Sequence, residues 1–261
     1  MPNPIRRRRL GRSGVFTVPE RGSLQLWLRG DKGLYSDAAL TTPATADGTA
    51  IGGWMDQSGL LHNATQATAG NRPVLKLAGI NGMPAVLFTA ASSQWLAANG
   101  AAAAFSGSNM PGTVMMAVMP VSTGTQIFFG FGNSGSAPPR WFFDLSAGNG
   151  WASVRESDGG SSVNILGGTN DTNGHVLTWV SPGTTMQIND NGVNAVGPST
   201  QAVGTSTFNN ATVGAINLNG SLSTFTNAYI AELFAWSTAL SAVEQQTVRR
   251  YLEQKYRIAG T

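Results

Sequence analysis

Met186-Gln187-Ile188-Asn189-Asp190-Asn191-Gly192-Val193-Asn194-Ala195-Val196 is the stretch that decides the fold. Asn191-Gly192 offers two residues that tolerate positive φ, which both central positions of a type I′ turn require. Met186-Gln187-Ile188 and residues 193–196 flank the pair, so the stretch predicts a two-residue β-hairpin. Asn81-Gly82 and Asn219-Gly220 repeat the signal more weakly.

Outward from this hairpin the same pattern recurs. Leu24, Leu26 and Leu28 alternate with Gln25 and Trp27, the period-two signature of a strand. Further strands are predicted at 85–88, 114–118, 127–131, 141–143, 151–155, 176–180, 186–188, 212–216 and 229–236, with turn residues between nearly all of them. Many short, evenly punctuated strands indicate a sandwich or barrel. Only 11% of the 261 residues are charged, against about 25% in an ordinary globular protein. That composition suits tight-turned sheets and fits a helix-rich fold poorly. One helix is nevertheless predicted, over 241–256. Ser241-Ala242-Val243-Glu244 reads as a capping box. Leu240, Val243, Thr247 and Tyr251, with Val248 and Leu252 beside them, form an apolar stripe. Docking is expected through Val248, Tyr251 and Leu252. Arg249, Arg250 and Lys255 read as solvated cations that complement the helix dipole.

Charge divides the chain in two. Arg6, Arg7, Arg8, Arg9 and Arg12 are five of its 16 basic residues; the other 11 face 13 acidic ones, a formal −2. Residues 1–20, rich in Arg, Pro and Gly, are read as an extended N-terminal arm, and residues 21–261 as a single near-neutral body. Five cations so close together repel one another unless an acidic surface receives them. An acidic groove on a partner protein is preferred to nucleic acid, because no aromatic residues interleave with the arginines. Cysteine is absent, which removes disulfides and thiol chemistry. No apolar run reaches the ~18 residues of a membrane span or the length of an export signal's core.

Four segments in order resemble a known family. They are Leu26-Trp27-Leu28-Arg29-Gly30-Asp31; Trp54-Met55-Asp56-Gln57-Ser58-Gly59 with Arg72-Pro73; residues 79–88; and residues 230–236 leading into the helix. The order is similar to the laminin-G-like branch of the concanavalin A-like lectin/glucanase superfamily. The resemblance covers roughly residues 22–258 and implies an all-β, two-sheet antiparallel jelly-roll sandwich. Such domains occur in bacterial adhesins, as ancillary modules of enzymes and in bacteriophage virions. With the arginine arm and no export signal, the virion setting is the expectation. It envisages a non-enzymatic capsid-decoration or tail-fibre component, present in many copies and anchored by its arm to other virion proteins. Host glycans are its expected ligand. The alternatives are a free carbohydrate-binding protein or ancillary module, and a degenerate glycoside hydrolase.

The chemistry of individual residues narrows this further. The glucanase relatives use Glu-x-Asp-x-x-Glu, which places acids on one strand face. Here only Glu156 and Asp158 come near that spacing, and Gly159-Gly160 follows at once. The two histidines, His62 and His175, have no paired ligand at helical or hairpin spacing, so no metal is expected, zinc least of all. Calcium is a weaker option through Asp31, Asp37, Asp56 and Asp171, although Asp56 has the simpler role of holding a turn that ends at Gly59. Among the seven tryptophans, Trp27, Trp179 and Trp236 are expected in the core. Trp54, Trp95 and Trp151 lie near turns and are the candidates for a glycan-stacking surface.

Overall fold

The structure, a computed structural model, describes residues 16–260. Thirteen strands and a helix carry the architecture: β1 (Leu24–Arg29), β2 (Val74–Ile80), β3 (Met83–Phe88), β4 (Gly112–Pro120), β5 (Gln126–Gly132), β6 (Arg140–Ser146), β7 (Gly150–Glu156), β8 (Ser162–Gly167), β9 (His175–Ser181), β10 (Thr185–Asp190), β11 (Val193–Thr200), β12 (Asn210–Val213), β13 (Ala228–Trp236) and α1 (Ala242–Tyr256). They form two antiparallel sheets packed as a sandwich. One runs β11-β10-β9-β4-β13-β3-β2, with β1 also paired to β13. The other runs β8-β7-β6-β5-β12 and continues through the short strands Leu96–Ala97, Ala64–Thr65, Gly53–Trp54 and Leu34–Tyr35.

All three Asn-Gly pairs make the turn expected of them. Asn81, Asn191 and Asn219 have φ of 49°, 48° and 50°, and the following glycines 80°, 87° and 75°. The predicted strand at 212–216 is in fact two. Gly214 takes φ 87°, ending β12 at Val213 and restarting the chain at Ile216–Leu218.

Alternation along the strands builds the core. On β7, Trp151, Ser153 and Arg155 point between the sheets, while Ala152, Val154 and Glu156 point outward. The inner layer is rich in rings: Phe105, Phe129, Phe131, Trp141, Phe143 and Trp179 pack in stacked, edge-to-face and tilted pairs. Each such pair adds about 0.5–1.5 kcal/mol beyond the area it buries. A second apolar layer lies between the outer face of the other sheet and α1, where Val248, Leu252 and Tyr256 meet Trp27, Met115 and Phe234.

The helix begins as its sequence requires. Ser241 accepts from the Glu244 backbone N–H, and the Glu244 side chain accepts from the Ser241 N–H. Val248 and Leu252 are buried as expected, and Tyr256 completes the buried stripe in place of Tyr251. Val243 is 74% exposed, and Tyr251 is half-buried. Lys255 is no solvated cation. Its Nζ lies 2.7 Å from the wholly buried Glu232 and 2.9 Å from Asp31. Glu232 also accepts from Trp27 Nε1 at 2.7 Å, Tyr251 Oη at 3.1 Å and Tyr256 Oη at 2.8 Å. This carboxylate joins the helix to β1 and β13.

Arg6, Arg7, Arg8, Arg9 and Arg12 lie outside the described residues. Residues 16–20, assigned to the arm by composition, pack on the body. Phe16 stacks on Tyr251 with centroids 3.8 Å apart, Val18 is buried, and the Pro19 carbonyl accepts from Trp236 Nε1.

Candidate functional site

Chemically diverse side chains gather where β9 begins and β10 ends. The register pairs Leu177 with Asp190, so His175 and Asp190 meet where the two strands end. The Asn191-Gly192 turn fixes their spacing: Asn191 N–H donates to the Val176 carbonyl, and Val176 N–H donates back to Asn191 Oδ1. His175 Nδ1 lies 2.8 Å from Asp190 Oδ1, and Nε2 lies 2.9 Å from Asp171 Oδ1. Asp171 is held by the turn that precedes β9, where it also accepts from the Asn173 backbone N–H. Asp190 Oδ2 accepts from Trp151 Nε1 at 2.9 Å and Thr169 Oγ1 at 3.0 Å. The Trp151 ring meets the imidazole edge-on, 4.7 Å between centroids.

The imidazole is therefore clamped on both nitrogens and by one ring face. Burial opposes its protonation, but the hydrogen bonds and charges of Asp190 and Asp171 outweigh that and hold it above its ordinary value. Burial likewise works to raise Asp171, but the Asn173 N–H and His175 hold it below the usual carboxylate range. With His175 protonated the trio carries a net −1.

A groove of about 480 Å³ opens over this cluster, lined by Asn81, Asp171, Asn173, His175, Asp190 and Arg257. A second depression of about 360 Å³ shares Thr169, Asp190 and Asn191 with it and adds Val193, Asn194 and Ala195. Asn81 ties the far wall to the end of α1 by donating to the Tyr256 and Arg257 carbonyls. Exposed Asn173 and Arg257 and half-exposed Asp171 line one part; Val193, 51% exposed, supplies an apolar face nearby. Carboxylate acceptors, amides, one guanidinium and an apolar patch are the groups that hydroxyl-rich ligands use. Another cavity, of about 430 Å³ beside Asp31, Tyr35 and Leu77, lacks such a set; its carboxylate is paired to Arg29 and Lys255.

The structure brings together Asp171, His175 and Trp151, which the sequence offers for three separate reasons. The expectation that His175 has no nearby ligand fails: one of its partners is four residues back in a turn and the other is across a hairpin. Trp54 and Trp151 are not surface tryptophans. Both are fully buried, Trp54 donating from Nε1 to the Arg29 carbonyl and Trp151 supporting Asp190 from behind. Trp95 is half-buried, away from this cluster in the chain. Trp27, Trp179 and Trp236 lie in the core as expected. Asp190, Asn173 and Arg257 were missed; the only sequence signal for Asp190 was its place beside the Asn-Gly turn.

The other candidate acids are otherwise engaged. Glu156 pairs with Arg140 at 2.6 Å, and Asp158 accepts from the Thr207 N–H and Oγ1. Asp56 holds its turn by accepting from Ser58 and His62 N–H groups, and from Trp27 N–H. Asp37 caps Thr41 and Thr42. Among the described residues no His, Asp or Glu group is arranged to hold a metal ion, and no helix is long and apolar enough to cross a membrane.

No known family profile matches the chain, and no curated protein matches it in sequence. Its similarity is to solved structures. The Trypanosoma rangeli sialidase aligns with a TM-score of 0.53 and 13% identity, covering 92% of this chain and 34% of that one. The CBM40 of the Ruminococcus gnavus IT-sialidase, bound to α2,3-sialyllactose, aligns with a TM-score of 0.48 and 15% identity, over 57% of this chain and 86% of that one. The NanB sialidase of Streptococcus pneumoniae aligns at 0.43 and 18%, over 52% and 23%. The chain thus spans about a third or less of these whole sialidases. The match to the Trypanosoma rangeli sialidase supports the β-sandwich fold and corrects one expectation. The non-enzymatic expectation is not upheld: a sialidase shares this fold over 92% of the chain, so the fold does not set the chain apart from enzymes.

Proposed function

We propose that this protein is a carbohydrate-binding module and that its ligand lies in the groove over Asp171, His175 and Asp190. The observation that carries the reading is the clamped imidazole: His175 holds Asp171 and Asp190 in place, while Asp171, Asn173 and Arg257 face the groove. Preorganised polar groups lose little freedom when a ligand arrives, which favours binding of flexible, hydroxyl-rich molecules. The acceptor-rich lining favours a neutral glycan, whose hydroxyls donate to Asp171 and whose apolar ring face meets Val193. A sandwich fold shared with part of a sialidase is in keeping with this. Screening the full chain and its Asp171→Asn variant on a glycan array tests it. Hits that weaken in the variant support the site; hits unchanged in the variant refute it.

The five arginines within the first twelve residues favour a second element. In this reading the arm tethers the module to an acidic protein surface, and a virion that displays many copies is the setting. Deleting residues 1–12 is then expected to abolish incorporation into particles while leaving glycan binding intact. Glycan binding lost together with the arm would contradict that division.

A further inference from the structure

Among the described residues Arg155 is the one buried arginine, with no exposed surface. It points inward from β7, between Ser153 and the end of the strand, so Glu156 faces the opposite side of the sheet. Its Nη1 donates to the Gly183 carbonyl at 3.1 Å, and its guanidinium lies 4.5 Å from the centroid of the Trp141 ring. Nε and Nη2 have no hydrogen-bond partner. These two atoms form the side-on fork that takes a carboxylate with two parallel bonds. Arg29 uses that same edge on Asp31, Nε at 3.1 Å and Nη2 at 2.8 Å. The other buried acids are not available to Arg155: Asp56 is held by Trp27, Ser58 and His62, Glu232 by Lys255, and Asp144 lies on the outer face.

Gln201 is equally buried. Its backbone N–H donates to Thr184 O at 2.7 Å, one residue from the carbonyl that holds Arg155, so a single turn at 181–184 anchors the Arg155 side chain and the Gln201 backbone. The Gln201 amide has a partner at neither Nε2 nor Oε1, and Trp141 Nε1 also lacks one. Three buried residues near one end of the sandwich thus carry unused donors, one of them cationic. Burial alone pulls the guanidinium down to about 10. Charges inside proteins are normally paired, because taking them out of water is costly.

We propose that Arg155, with Gln201 beside it, binds a small planar oxyanion of the monocarboxylate type inside the sandwich. The fork sets the planar shape, and formate, the smallest carboxylate, is the probe that asks least of a buried site. This site is separate from the groove, and its test does not depend on glycan binding.

Thermal unfolding of the full chain in sodium formate, against sodium fluoride at equal ionic strength, tests it. A saturable rise in Tm of roughly 5–10 °C is expected at a hundredfold excess over Kd, in formate only. Arg155→Lys, which keeps the charge but loses the fork, is expected to weaken the effect at least tenfold, and Arg155→Met to abolish it. Equal shifts in both salts, or a shift that survives in Arg155→Met, would overturn the site. If neither variant folds, equilibrium dialysis of the unmodified protein with labelled formate decides: one formate per chain supports the proposal, and none, the outcome if only water satisfies the fork, overturns it.

Discussion

His175 Nδ1 lies 2.8 Å from Asp190 Oδ1, a contact made across the hairpin of β9 and β10. The hairpin of β9 and β10 brings the last residue of β10 beside the first of β9, and Asn191 holds it there through its bonds to the Val176 backbone. Asp171 then closes on the other ring nitrogen at 2.9 Å. Two carboxylates thus flank an imidazole that is almost wholly buried.

This arrangement makes stability depend on pH. The folded-state value of His175 lies above its ordinary 6.5. Its stabilisation is therefore complete below that pH and is lost as pH rises through the folded value. Asp171 works at the other end: its value is depressed, so its share is present above the usual carboxylate range and fades in acid. Urea unfolding of wild type and His175→Gln from pH 5 to 8.5 is expected to show a gap between them that narrows toward high pH. A gap that widens with pH would contradict the clamp.

Asp144 is a separate case. It sits on the outer face of the sheet beside Ile127 and Ala152, and burial pushes its carboxyl up to about 7. A raised acid costs stability as pH climbs from its unfolded to its folded value. Asp144→Asn removes that cost. Unfolding at pH 8 is expected to show the variant more stable by roughly 2–4 kcal/mol, with little difference near pH 4. Equal stability at pH 8 would show that water reaches the carboxylate.

Lys255 and Glu232 carry the helix. Removing one partner of a buried pair strands the other charge, at a cost of about 3–5 kcal/mol. Lys255→Met is expected to lose about that much and to loosen α1, visible as faster amide exchange at Val248 and Leu252. The double change with Glu232→Gln is expected to recover part of the loss, because Trp27, Tyr251 and Tyr256 still find an amide oxygen. A double variant as weak as the sum of the singles would mean that the two residues act independently.

Local chemistry was legible wherever it was self-contained. The Asn-Gly turns, the capping box and the alternation of Leu24, Leu26 and Leu28 each work within a few residues, and each is present. What failed depended on distant partners. Val243 fits the helical stripe yet stays exposed, while Tyr256, outside that stripe, is buried against the sheet. Lys255 looked solvated because Glu232 lies 23 residues away in sequence. Trp151 borders a turn, yet strand alternation points it inward, behind Asp190. The groove itself joins residues near 81, 171, 190 and 257, a set that no spacing rule connects.

The most direct test of the central claim is an NMR titration of the full chain, with His175 ring and Asp171 backbone resonances followed as a glycan identified on the array is added. Saturable shifts are expected at His175, Asn173 and Asp190, with affinity reduced at least tenfold in Asp171→Asn. Shifts that gather around Trp95 and leave His175 untouched would contradict the account.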